Sequence, residues 1–166
     1  MSIQIKICST QEDVKLIAAL ADKIWHEHFT PLIGKEQVEY MVEKFQSEQA
    51  IGDAVNHQNY RYFMAFDGDR LVGYCGVQPQ EKELFLSKLY MDQAYRKRGI
   101  AKSLLEQAKI YAKELGKPSI YLTVNKGNNG PIAAYLKMGF TNDESIVTDI
   151  GNGFVMDDYI MRLRLQ

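Results

Sequence analysis

Ile3, Ile5 and Ile7 alternate with Gln4 and Lys6, the period-two pattern of a short, half-buried strand. Beyond Ser9-Thr10 the period lengthens. Gln11-Glu12-Asp13 follow as an acidic first turn behind a capping hydroxyl. Val14, Ile17, Ala18, Ala21, Ile24, Trp25 and His28 then recur at helical spacing, which predicts a helix to about Phe29, broken by Pro31 and Gly34. Val38, Met41, Val42 and Phe45 predict a second amphipathic helix, and residues 50–59 fit a helical turn followed by a loop. Residues 60–66 and 71–77 are aromatic and β-branched runs joined by Asp67-Gly68, a strong hairpin signal. With a third strand over 84–91, the middle of the chain reads as an antiparallel meander.

Helical spacing returns after Gly99, with Ala101, Leu104, Leu105, Ala108, Tyr111, Ala112 and Leu115 on one side, Gly116 as cap and Pro118 as stop. The strand over 120–124 is reached through this crossover helix and must run parallel to 84–91. A Gly/Asn-rich loop over 125–130 leads into a short helix from Pro131 carrying Ile132, Tyr135 and Leu136, ended by Gly139. The tail predicts a hairpin, 142–150 and 154–165, about Gly151-Asn152-Gly153. No repeat or linker interrupts the pattern, so residues 1–166 read as one α+β domain.

Composition changes this picture little. The formal net charge of -1 supplies no global field for nucleic acid, although Arg96-Lys97-Arg98 is a local basic patch. Cys8 and Cys75 lie far apart and fit buried, reduced thiols on strands. No apolar run approaches the ~20 residues of a membrane span. Gln4 and Lys6 interrupt any signal-peptide core, so a cytoplasmic protein with no membrane partner is expected.

The candidate chemistry begins where the run ending at Met91 gives way to basic residues and a glycine. Strand, basic glycine-bearing loop and helix gather backbone N–H groups at a helix start, an arrangement that holds anions. Arg96-Lys97-Arg98-Gly99-Ile100-Ala101 has this form; alone, it also fits a solvated basic turn. It lacks the upstream glycine of a Walker A loop and the three glycines of a dinucleotide fingerprint. The second piece is Asn128-Asn129-Gly130-Pro131-Ile132-Ala133-Ala134-Tyr135-Leu136-Lys137-Met138-Gly139-Phe140, which follows the parallel strand.

Together the two segments resemble the Gcn5-related N-acetyltransferase (GNAT) superfamily over roughly residue 71 to the C-terminus, with Asp158-Tyr159-Ile160-Met161 in the place of its last strand. The resemblance implies a mixed, mostly antiparallel sheet of about seven strands flanked by helices, splayed between the fourth and fifth. It further implies that acetyl-CoA is the acetyl donor, without a metal. The pantetheine arm would lie along the backbone of Leu89, Tyr90 and Met91, on a strand that bulges and splays there. Arg96 would add its charge at the diphosphate, and Lys97, Arg98, Gly99, Ile100, Ala101 and Lys102 would wrap it. Asn128 would bond the pantetheine, and Tyr135 would protonate the leaving thiolate. Tyr135 also fits a core aromatic beside Ile132 and Leu136.

The implied reaction is direct attack by a primary amine, either of a small molecule such as a polyamine or of a peptide or protein. The alternative is a catalytically silent acyl-CoA-binding module; Tyr135 argues against it and Phe85 mildly for it. In some members a Glu eleven residues ahead of the position matching Arg96 is the base, and here that position is Phe85. Glu83 lies two residues earlier. It is either a base acting through water or a solvated strand-end carboxylate. The family's first two helices wall the acceptor site, which brings in Trp25-His26-Glu27-His28-Phe29. Trp25 and His28 share the apolar face of Ile24, where packing is the simpler role, and His26 and His28 point apart on a helix rather than forming a metal pair. Homodimers are common in the family.

Overall fold

The computed structural model describes residues 2–165. β1 (Ile3–Ile7) precedes three helices, α1 (Gln11–Ile33), α2 (Lys35–Met41) and α3 (Glu48–His57). The meander β2 (Arg61–Asp67), β3 (Arg70–Pro79) and β4 (Leu84–Met91) follows. α4 (Ile100–Glu114) crosses to β5 (Ser119–Asn125), and α5 (Asn129–Lys137) leads to the hairpin β6 (Thr141–Gly151) and β7 (Phe154–Arg164). Among the described residues these strands form one seven-stranded sheet in the order β1-β2-β3-β4-β5-β7-β6. β4 and β5 are parallel and the other neighbours antiparallel, as the crossover helix requires.

Each face of the sheet carries its own core. On one, Ile100, Leu104, Leu105, Ala108 and Ala112 of α4 pack on Leu84, Leu86 and Ile120. On the other, Ile17, Ile24 and Trp25 of α1, Val38 of α2 and Ile51 of α3 pack on Tyr62, Met64 and Tyr74. α1 starts with a capping box: Thr10 Oγ1 accepts from Asp13 N at 3.1 Å, and the Asp13 carboxylate accepts from the amides of Ser9 and Thr10. Such a cap contributes about 1 kcal/mol.

Several elements differ from the pattern-based expectation. α1 runs through Pro31 to Ile33, because a proline in the last turn removes one donor while Gly34 N still closes onto Thr30 O at 2.9 Å. Residues 48–57 form a full helix rather than one turn and a loop, since Ser47 Oγ caps Ala50 N and Ile51 and Ala54 are buried. The second helix passes into a π-helical turn, Val42–Gln46, which includes the buried Gln46 as acceptor for the Tyr74 hydroxyl. Leu115 and Leu136, read as apolar-face residues, are exposed. The tail hairpin turns through Asn152 (φ 55°) and Gly153 (φ 78°), both in the left-handed region that a tight hairpin turn demands.

The sheet opens where chemistry is expected. β4 pairs with β5 only at Leu84↔Ile120 and Phe85↔Tyr121, while β5 stays paired to β7 along its length, so β4 and β5 separate beyond Phe85. The β4 bulge lies earlier than expected. Gly76 pairs with Lys88 and Val77 with Leu86, leaving Ser87 as the extra residue rather than a position among Leu89–Met91.

Candidate active site

The splay divides into two clefts that meet. The first, about 670 Å³, runs from Ile24 and His28 past Leu89 and Met91 to the loop before α4 and the start of α5. The second, also about 670 Å³, lies between α1–α3 and the β4, β5 and β7 edges. Phe29, Leu89, Tyr90, Asn128 and Tyr135 line both. Of the residues singled out from sequence, Leu89, Tyr90, Met91, Arg96, Lys97, Gly99, Ile100, Ala101, Lys102, Asn128 and Tyr135 all line the first cleft. Arg98 does not line it: its guanidinium lies 5.1 Å from the centroid of the Tyr95 ring.

The loop before α4 is rooted by polar contacts. Asp92 is buried and accepts from Ala94 N, Lys23 Nζ and Arg70, while the Tyr95 hydroxyl donates to Asp67 at 2.7 Å. Lys97 (φ 63°) and Gly99 (φ 80°) take left-handed backbone, and Gly99 caps α4 with no side chain on its first amides. Alternating turns of this kind make a concave array of N–H groups that suits a phosphate. A Cβ at Gly99 would meet no protein atom within 4 Å, so the space beside the loop backbone is open to a ligand. Gly99→Val places a β-branched residue at positive φ and fills that space. It should weaken CoA binding by about tenfold or more in a calorimetric titration; unchanged affinity would contradict a diphosphate at this loop.

At the junction, Asn128 is buried and its Oδ1 accepts from His28 Nε2 at 2.7 Å. The histidine read as a packing residue therefore fixes the Asn128 amide, whose NH₂ makes no hydrogen bond among the described residues. His26 bonds back to Asp22 on its own helix. Tyr135 is half-buried, with its ring 5.5 Å from that of Phe140, and burial raises its phenol well above the ordinary value. Trp25 stacks on Phe29 (4.2 Å) and meets Tyr90 edge-on (5.7 Å), and its buried indole N–H has no partner among the described residues.

Glu83 lines neither cleft and is tied up by partners from other strands. It precedes β4, accepts from Ser119 Oγ at 2.8 Å and pairs with Arg162, whose hydrogen bonds hold its carboxyl below the usual range. Phe85, at the expected base position, stacks on Tyr121 at 4.8 Å.

Two residues not singled out from the sequence stand in the second cleft instead. Asp158 of β7 is 6% exposed, and its Oδ1 has no hydrogen-bond partner among the described residues. Burial, with Asp157 adding like charge against the opposing Lys126, lifts its carboxyl to about 6. Asp158 and Tyr135 both raise the buried Tyr90 phenol further, which places all three groups in one neighbourhood. Lys88 of β4 is 8% exposed, and burial pulls its ammonium down to about 8. A signal was present for each: Asp157-Asp158 puts one acid on the inner face of any strand, and Lys88 is the single charge within an apolar run.

The acetyltransferase (GNAT) family profile matches residues 19–140, and the chain belongs to this family. By class it is an acetyl-CoA-dependent N-acetyltransferase. Its relatives include a spermidine N(1)-acetyltransferase of Thermoplasma acidophilum, 27% identical over 161 residues that span 95% of this chain and 97% of that protein. The crystal structure of PaiA N-acetyltransferase from Thermoplasma acidophilum in complex with coenzyme A shares the fold, with TM-score 0.84 and 23% identity over 99% of this chain and 100% of that chain. So does a GCN5-related N-acetyltransferase from Rhodopseudomonas palustris, with TM-score 0.83 and 15% identity over 99% and 97% of the two chains. No helix among the described residues is long and apolar enough to cross a membrane.

Proposed function

We propose that the protein moves the acetyl group of acetyl-CoA to a primary amine by direct attack, with Tyr135 as general acid and Asp158 as general base. The observation that carries this reading is the meeting of the two clefts at Tyr135, with Asp158 in the second. The first cleft suits a CoA chain. The unpaired stretch of β4 beyond Phe85 offers Leu89 and Met91 backbone groups to an added strand, as a pantetheine arm requires. Lys97–Lys102 amides and the α4 dipole face the diphosphate. Asn128 offers its NH₂ to a pantetheine carbonyl. Bound there, acetyl-CoA supplies an acyl carbon already activated by its thiol leaving group.

Asp158 then accepts a proton from the acceptor nitrogen as the C–N bond forms. A carboxylate lifted to about 6 is still ionised at pH 7–8 and is a better base than an ordinary aspartate. Tyr135 gives its hydroxyl proton to sulfur as the C–S bond breaks. Its raised phenol keeps that proton in place at neutral pH. No covalent enzyme intermediate is required.

The acceptor enters by the second cleft, as a small amine such as a polyamine or as the terminus or side chain of a peptide. Free-thiol release from acetyl-CoA across polyamines, monoamines, amino acids and peptides, with acetylated product identified by mass spectrometry, tests the reading. Amine-dependent thiol release is expected. CoA binding without turnover on any amine would leave only the silent binding module.

A further inference from the structure

Lys88 is a buried cation with no anion. Among the described residues it makes no ion pair or hydrogen bond; its ammonium lies 5.0 Å from the Tyr60 ring centroid and 5.6 Å from that of Tyr62. The site around it is built. The Tyr60 hydroxyl donates to Ser87 Oγ at 3.1 Å, and across the ladder Gly76 supplies the space. A Cβ on Gly76 would stand 3.0 Å from the Tyr62 ring and 3.5 Å from Lys88 Cβ. The rings stabilise the cation in part, and its ammonium reaches the water of the cleft, where a ligand anion would pair with it.

Other groups of the cleft leave the same gap. Lys44 is engaged, donating to Ile150 O at 2.6 Å, and Asp53 is exposed on α3. Trp25 lines the same cleft with an unpartnered buried N–H, a second donor without an acceptor. Asp158 is the complementary group, an acceptor without a donor. The cleft thus holds an enclosed, unpaired carboxylate oxygen near Tyr90 and Tyr135 and an ammonium with no protein anion two residues from Tyr90 along β4, on the same face. Lys88 is offset from Tyr90 by roughly 7 Å along the strand at ~3.3 Å per residue.

We infer that the second cleft takes a zwitterionic acceptor, an amino acid whose amine is presented to Asp158 at the cleft junction and whose carboxylate is bound by Lys88. This rests on the acetyltransferase reading of the site and narrows its acceptor. A polyamine has the wrong complement, because its second ammonium would lie against Lys88 rather than against an anion.

Matched acceptors test it: 6-aminohexanoate and 4-aminobutanoate against hexylamine and butylamine, and against 1,6-diaminohexane and spermidine. The wild-type enzyme should acetylate the amino acids with kcat/KM at least tenfold above the matched monoamines and diamines. Lys88→Met should erase that preference, mostly through a raised KM for the amino acids. Lys88→Arg should restore part of it. Diamines preferred by the wild type, or a carboxylate preference that survives in Lys88→Met, would overturn the inference without touching the reaction class. Calorimetry of 6-aminohexanoate and hexylamine on the CoA-loaded protein gives a readout independent of turnover. Tighter binding of the amino acid, weakened at least tenfold by Lys88→Met, supports the site even if no acceptor reacts; equal binding of the two refutes it.

Discussion

Tyr135→Phe should lower kcat by ~10²–10⁴-fold while leaving CoA affinity nearly unchanged. The substitution keeps the ring that packs on Phe140 and removes only the hydroxyl. Fold and cofactor cleft should therefore survive, and the loss should fall on the step in which sulfur leaves. Since burial holds the phenol well above its ordinary value, no limb of the pH profile near neutrality belongs to Tyr135. Stopped-flow or steady-state thiol release, with CoA binding measured in parallel, checks both halves. A wild-type rate in the variant would remove Tyr135 from the mechanism and leave it a core aromatic.

Asp158→Asn should reduce kcat within the same range and also raise stability at pH 7–8. As a base, Asp158 works ionised, so the wild-type rate should fall as pH drops through about 6, and that limb should vanish in the variant. The stability effect has the opposite sense. The folded carboxyl titrates near 6 against about 3.9 in the unfolded chain. Between those values the folded state holds the proton that the unfolded state has released, so stability declines as pH rises through that window and the full cost persists above it. Allowing for partial solvent access to the cleft, the cost is on the order of 2 kcal/mol. Burial sets most of it, Asp157 adds to it, and Lys126 opposes it; the latter pairs with Asp157 at 2.9 Å. A higher Tm with a lower kcat is the signature of a carboxylate kept for chemistry at the expense of stability. An unaltered acid limb in Asp158→Asn would assign it to another group.

The proposed cofactor side is built from contiguous stretches of chain, so its residues could be gathered from the sequence. Gly99 and its basic neighbours, and Asn128 with Tyr135, each sit within one strand–loop–helix segment. Their local spacing carries the geometry, and the structure lines one cleft with all but Arg98. The acceptor side is assembled from residues far apart in sequence. Lys88 and Asp158 meet the same cleft only through the strand order β4-β5-β7, which no local period encodes. The bulge at Ser87 compounds this, since it changes which β4 residues share a face after Leu86, and strict alternation assigns Lys88 to the wrong side. Glu83 fails for a related reason. Its partners, Ser119 and Arg162, arrive from other strands, and an isolated acid at a strand end gives no sign of them. Local helix details slipped where a single residue mattered less than its context, as with Pro31 in the last turn of α1.

The most direct measurement is a crystal structure of the protein with CoA bound. The diphosphate should lie on the amides of residues 97–102, the pantetheine between β4 and β5 with Asn128 on it, and the thiol sulfur within about 3.5 Å of the Tyr135 hydroxyl. Asp158 should face that sulfur across the junction of the two clefts. A sulfur held away from Tyr135, or a diphosphate seated anywhere but the loop before α4, would contradict the proposed mechanism.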